Sequence, residues 1–262
     1  MRRALAAGIV ALALAPVAAA SPVLAWQPDA KPLLPSAAAQ RHAVARLTRL
    51  GRPVFCAGPA GDAVALTFDD GPGPFTQRVL DELREHDAHA TFFLVGNRIG
   101  YWPEAAAAER LVGAVGDHTW SHPPLTTLPR WAVWLELART RESVRRALGG
   151  EPTLFRAPYE LHDETVDGVV RRSGMLDVLW SVDSGDSDPH ATARRVVRRV
   201  LRGLRPGAIV LMHDIHPWTV AALPRILAAL DRRGLRAVSV PELLALDPPA
   251  DAAACPIPRA GD

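Results

Sequence analysis

The chain has 262 residues, 48% of them hydrophobic and 22% charged, which is enough to bury a core and too apolar for a disordered or fibrous protein. Thirty Lys and Arg against 28 Asp and Glu leave a formal charge of +2. Arg2 and Arg3 account for that excess and Lys31 is the only lysine, so the balance gives no ground for expecting a nucleic-acid partner.

Residues 1–25 read as a secretory signal peptide. Arg2 and Arg3 precede an Ala-rich apolar run broken by Pro16, and Ala18, Ala19 and Ala20 form a small-residue cleavage site, with a second after Ala25. The run falls short of the ~20 residues that a spanning helix needs. No later segment suits one either, so a secreted or cell-envelope protein without a transmembrane segment is expected. Residues 26–59, rich in Pro and Ala, read as a linker or packing arm with one helical stretch at 36–50. The folded domain is expected over 60–247 and a tail over 248–262. Cys56 and Cys255 flank that domain, and their even number fits a disulfide in an exported chain. Closing so long a loop would stabilise the fold by up to ~4–5 kcal/mol.

Within the domain, short apolar runs alternate with amphipathic stretches. Strands are predicted at 63–68, 91–95, 111–115, 153–156, 176–182, 208–212 and 237–239. Helices fall between them at 75–86, 103–110, 129–148, 164–173, 190–204 and 219–233. This alternation predicts βα units around a parallel sheet, and seven of them suggest a slightly small α/β barrel. In such a barrel the reactive side chains sit at the C-terminal ends of the strands. Asp69 and Asp70, His118 and His122, Arg156 and Tyr159, Asp183 and Asp186, and His213 all follow predicted strands.

Asp69 and Asp70 are adjacent carboxylates that repel unless a cation lies beside them. Standing alone, the pair could equally be an acidic helix cap. His118 and His122 are four apart on a turn that Pro123 and Pro124 halt, and such histidines can share a metal, although a surface pair has the same spacing. With Asp70 they make two imidazoles and one carboxylate, a set that leaves coordination positions open for water and substrate. The same set occurs in non-haem iron oxygenases, against which the Asp-Asp pair and the βα alternation argue. An arginine such as Arg156 can orient a carboxylate such as Asp69 and keep it ionised.

In this order, Thr67-Phe68-Asp69-Asp70-Gly71-Pro72, His-x-x-x-His, Arg-x-Pro-Tyr, Asp-x-x-Asp and Leu211-x-His213 resemble the polysaccharide deacetylase (NodB-homology) family of carbohydrate esterases, over roughly residues 61–246. The resemblance implies a distorted (β/α) barrel, usually seven-stranded. It also implies a hydrolase that removes N-acetyl or O-acetyl groups from an acetylated polysaccharide, with one divalent ion as cofactor, zinc first and cobalt, nickel or manganese as substitutes. By the same resemblance Asp69 is the base and Asp70, His118 and His122 are the metal ligands. Arg156 orients the base, the Tyr159 backbone N–H serves the oxyanion, and His213 is the acid, tuned by Asp186. Leu211 lines the pocket for the acetyl methyl group.

Two positions depart from the family pattern. Ser187 follows Asp186 where a tryptophan is usual, so Trp180 or Trp218 is expected to supply that wall of the pocket. Glu160 follows Tyr159 where glycine is usual. A non-catalytic carbohydrate-binding relative and a deacetylase of a small N-acyl amino sugar are the competing readings, and a monomer is expected. Elsewhere, Arg194, Arg195, Arg198, Arg199 and Arg202 read as a solvated helix face and Trp131 and Trp134 as core. Asp214 and His216 read as hydrogen-bonding neighbours of His213.

Overall fold

A computed structural model describes residues 33–249, so the proposed signal peptide and Cys255 lie outside the described residues. Strand β1 (Ala63–Asp69) is buried along its whole length and is the hub of a parallel sheet. On one side β1 pairs with β7 (Ile209–His213) from Ala65 to Asp69. On the other it is shared. β8 (Arg236–Val238) pairs with its first three residues, and β2 (Ala90–Leu94) with Thr67, Phe68 and Asp69. Beyond β2 come β3 (Gly113–Asp117), β4 (Leu154–Phe155) and β5 (Leu176–Asp177), all parallel.

The predicted strand 176–182 is two short pieces. β5 pairs with β4, and after a bend β6 (Val182–Asp183) pairs with β7. One continuous stretch of chain therefore bridges the two ends of the sheet and closes the barrel, so the strand count is seven when that stretch is taken as one. Val54 and Cys56 seal the same seam through single bridges to Val178 and Ala208.

Because side chains alternate along a strand, each strand serves two cores. Val64, Leu66 and Phe68 point outward with Phe92, Val210 and Met212. They meet α2 (Thr76–Glu85), α4 (Pro103–Val112), α7 (Ala193–Gly203) and α8 (Pro217–Arg232) in one apolar cluster. Ala63, Ala65, Phe93, Leu154, Val178, Ile209 and Val238 fill the barrel interior. The foot of the barrel is plugged by α1 (Ala37–Leu50), through Ala43, Val44 and Leu47, and by α9 (Val240–Leu246), through Leu243 and Leu244. Ser36 caps the start of α1, and Gly51, at φ 65°, supplies the left-handed turn that ends it. A third cluster joins α5 (Arg130–Leu148) to α6 (Glu164–Arg172) around Phe155.

Three local readings are corrected. The third strand begins at Gly113, so Leu111 is helical and 84% exposed. A short helix α3 (Gly96–Ile99) was not foreseen. Trp131 and Trp134 are exposed instead of core, because Val133 and Leu137 occupy the buried stripe of α5. The α7 arginines do form an exposed face opposite Val196 and Val200. Among the described residues no helix is long and apolar enough to cross a membrane.

Candidate active site

The polar layer lies on top of the interior apolar plug, and the strand register assembles it. Thr67 and Asp69, two apart on β1, share its inward face, and Asp69 is in register with His213 of β7. Asp117 of β3 is in register with Phe155 of β4, which sets His118 beside Arg156.

Arg156 is fully buried and is the hub of this layer. Nη1 donates to Asp69 Oδ1 and to Thr67 Oγ1, both at 2.7 Å. Nε donates to Val178 O at 2.7 Å and Nη2 to Leu179 O at 3.2 Å. The Phe93 ring lies under the guanidinium, 4.1 Å from its carbon, and Trp180 flanks it at 5.5 Å. Burial pushes the Asp69 carboxyl above its ordinary value, while the charges of Arg156 and His213 pull it back part of the way. Asp69 is thus an oriented carboxylate with raised proton affinity.

Asp70, His118 and His122 offer donor atoms within 4.8 Å of one another. Asp70 Oδ1 is 3.7 Å from His118 Nε2 and 3.2 Å from His122 Nε2, and it is buried with no hydrogen bond of its own. His118 Nδ1 is 2.9 Å from the Arg156 carbonyl, so Nδ1 carries the proton and Nε2 turns its lone pair toward Asp70. Burial holds His118 down to about 3, which keeps it neutral. An orphaned carboxylate oxygen facing two imidazole nitrogens fits a divalent cation of the zinc class.

His213 stands across from Asp69. Its Nδ1 lies 2.7 Å from Asp186 Oδ1, and its backbone N–H donates to Asp186 Oδ2 at 2.7 Å. Thr219 Oγ1 donates to the same oxygen at 2.6 Å. Burial alone would lower the His213 imidazole, but the Asp186 hydrogen bond and charge outweigh it and raise it to about 9. The ring is therefore an imidazolium at neutral pH. Trp218 Nε1 donates to the Asp186 carbonyl at 2.7 Å, and its ring stacks on His216. Of the two tryptophans expected near Ser187, Trp218 is the one beside that turn, whereas Trp180 packs against Arg156. Leu211 is buried on β7, in register with Thr67 and Asp183.

Backbone strain concentrates here. Of the described non-glycine residues with positive φ, Asp70, Thr119, His122, Tyr159 and Glu160 lie in these loops and Asp87 alone lies elsewhere. The exposed Tyr159 ring meets the His122 ring edge-on at 4.6 Å.

Of three buried carboxyls around this site, the sequence reading singled out only Asp214. Asp117 Oδ1 accepts from Thr119 N and pins the turn that carries His118. Glu109 and Asp214 lie under the Asp70–Gly71 turn. A Cβ on Gly71 would come within 2.7 Å of Asp214 and 3.0 Å of Glu109, so a side chain there would have to displace these buried carboxyls. Burial and the neighbouring carboxyl raise Glu109 well above its ordinary value, and burial takes Asp214 to about 7. Asp214 also accepts from Thr76 Oγ1. The one available sign of Glu109 was its position three residues from both Ala106 and Val112, on the buried stripe of α4.

The profile of the polysaccharide deacetylase family matches residues 57–178. A chitooligosaccharide deacetylase of Bradyrhizobium is 36% identical over 200 residues, which cover 69% of this chain and 90% of that protein. The chain belongs to the polysaccharide deacetylase family. A peptidoglycan-N-acetylglucosamine deacetylase of Listeria monocytogenes is 38% identical over 182 residues, or 69% of this chain and 38% of that protein, so the chain spans well under half the length of this relative. A solved family-4 carbohydrate esterase pseudoenzyme from Bacillus anthracis is 28% identical, with a TM-score of 0.70 over 74% of this chain and 69% of that one. The distorted α/β barrel is the fold of this polysaccharide deacetylase family member as well.

Proposed function

We propose that this chain is an exported, metal-dependent deacetylase that hydrolyses acetamido groups of a cell-envelope or extracellular polysaccharide. The observation that carries the reading is the pairing of two differently tuned groups, Asp69 held by Arg156 and His213 held by Asp186, on either side of the Asp70, His118 and His122 cluster. A peptidoglycan-N-acetylglucosamine deacetylase and a chitooligosaccharide deacetylase among the relatives favour N-deacetylation over O-deacetylation.

Asp70, His118 and His122 would hold the divalent ion, zinc by preference, which when bound supplies Lewis acidity toward the acetyl carbonyl and toward water. Asp69 takes the proton of the attacking water at its Oδ atoms. Arg156 keeps that carboxylate aimed and restrains its proton affinity. The Tyr159 backbone N–H stabilises the developing oxyanion, and such a donor is worth about 3–4 kcal/mol. His213 delivers its proton to the departing amine, without which the amine is a poor leaving group. Leu211 and Trp218 bound the site of the acetyl methyl, and Glu160 and Ser187 adjust the groove for the flanking sugars.

The likeness to a pseudoenzyme favours a second reading, a protein that binds glycan without cleaving it. Acetate release from peptidoglycan, chitooligosaccharides and acetylated xylan decides between the two. Asp69→Asn should retain the metal and lose activity by a factor on the order of 10²–10⁴. Asp70→Asn should lose metal affinity and recover part of its activity in excess metal. Wild-type protein that binds these glycans and releases no acetate would establish the binding reading. Metal rescue of Asp69→Asn but not of Asp70→Asn would exchange the two roles.

A further inference from the structure

Away from this site, His162, Asp167 and Asp177 bring an imidazole nitrogen and two carboxylate oxygens within 4.8 Å of one another. They come from three places in the fold: the loop leaving the 3₁₀ turn at Pro158–Glu160, the first turn of α6, and the end of β5. One pair within the group is hydrogen-bonded, His162 Nδ1 with Asp167 Oδ1 at 3.0 Å. Asp177 is 6% exposed, and both of its carboxylate oxygens are buried with no hydrogen-bond partner. Burying an unpaired carboxylate is unfavourable unless a cation or a proton meets it. Beside the cluster a cavity of about 20 Å³, lined by Asp167 and Asp177 but not by His162, leaves room for a single water next to the two carboxyls. Arg52 and Arg171 border it, and neither pairs with Asp177.

We propose that His162, Asp167 and Asp177 form a second divalent-metal site, structural in role, whose donor set takes zinc. An imidazole with two carboxylates suits zinc, whereas calcium and magnesium favour all-oxygen shells. The ion fastens the loop after Tyr159 to β5, one residue before Val178, whose carbonyl accepts from Arg156. It would therefore stiffen the segment that presents Tyr159.

The test is zinc stoichiometry of the full chain by mass spectrometry, after chelation, reloading with zinc chloride and removal of excess ion. Wild type should hold two zinc ions, and Asp177→Asn and His162→Gln one each. His118→Ala/His122→Ala should also keep one, and addition of zinc should raise its Tm. Anomalous diffraction at the zinc edge should show density between the three side chains. His162→Gln alters a half-buried loop residue, so it remains informative if Asp177→Asn does not fold. A single zinc that persists in His162→Gln and vanishes in His118→Ala/His122→Ala overturns the proposal. A single zinc with the reverse pattern would sustain this site and refute the Asp70, His118 and His122 assignment instead.

Discussion

Replacing Asp186 with asparagine tests how the barrel keeps His213 charged. Asp186 is buried and accepts from the His213 backbone, the His213 ring and Thr219. Its charge and hydrogen bond lift His213 to about 9 against the lowering effect of burial. At pH 7 such a ring is about 99% protonated by simple titration. Without that carboxylate burial is opposed only by the charges of Asp69 and Asp70, and the value falls. A ring at the ordinary imidazole value of about 6.5 is about a quarter protonated at pH 7 and a few per cent at pH 8. The amide NH₂ would also face a ring or backbone donor that the carboxylate had accepted from.

The same shift is a statement about stability. The folded value lies above the unfolded one, so the contribution is fully present below about 6.5 and is lost as pH rises through about 9. The difference of about 2.5 units corresponds to about 3 kcal/mol. Urea melts of the chelated wild type from pH 6 to 10 should show this loss, and Asp186→Asn should not. Chelation matters because a cation on Asp70 would push His213 down by charge repulsion. The alkaline limb of kcat should lie lower in the variant than in the wild type. A limb that does not move in Asp186→Asn, or pH-independent stability of the chelated wild type, would refute the assignment of His213 as an Asp186-held acid.

Arg156→Met removes the cation beside a buried Asp69, strands the acceptors Thr67, Val178 and Leu179 and should cost about 3–5 kcal/mol in urea melts; a cost under about 1 kcal/mol would show that the pair is dispensable. His122→Ala should sharply weaken metal binding at the Asp70 site, measured by calorimetry in a His162→Gln background. Glu109 and Asp214 have raised folded values, so they bind more protons folded than unfolded and stability falls as pH rises through the range between. Glu109→Gln should flatten that fall, and urea melts at pH 5 and pH 8 measure it. Mass spectrometry without reduction should find Cys56 joined to Cys255, and two alkylated thiols would refute the pairing.

The parts of the molecule legible in sequence are those governed by local rules. β1 is a near-continuous apolar run because both of its faces are buried, and its carboxylates stand out by contrast. The spacing of His118 and His122 tells little alone and gains meaning from the motifs around it. The bend between β5 and β6 is not, because closure of the ring, not any residue in 176–182, makes the stretch leave β4 and join β7. Trp131 and Trp134 misled because their spacing fits either face of a helix. Asp117, Asp177 and Asp214 carry no mark of burial, since a carboxyl is hidden only by what other segments bring to it, and Glu109 shows it only by its place on the apolar stripe of α4.

The central place of β1 also dictates the order in which this chain can fold. Thr67 bonds to the Val210 carbonyl, 143 residues later, and Arg156 reaches Asp69 across 87. A nascent chain emerging from its N-terminus therefore carries β1, apolar but for Thr67 and Asp69, with β2 as its early partner and its other edge open until β7 has been made. Contacts of such long range slow folding and leave the strand open to association meanwhile. Chains halted before residue 209 would retain Asp69, Asp70, His118, His122 and Arg156 and still lack β7, the strand whose His213 is in register with Asp69. The Asp69–Asp70 turn is thus among the first segments synthesised and among the last to take its final shape.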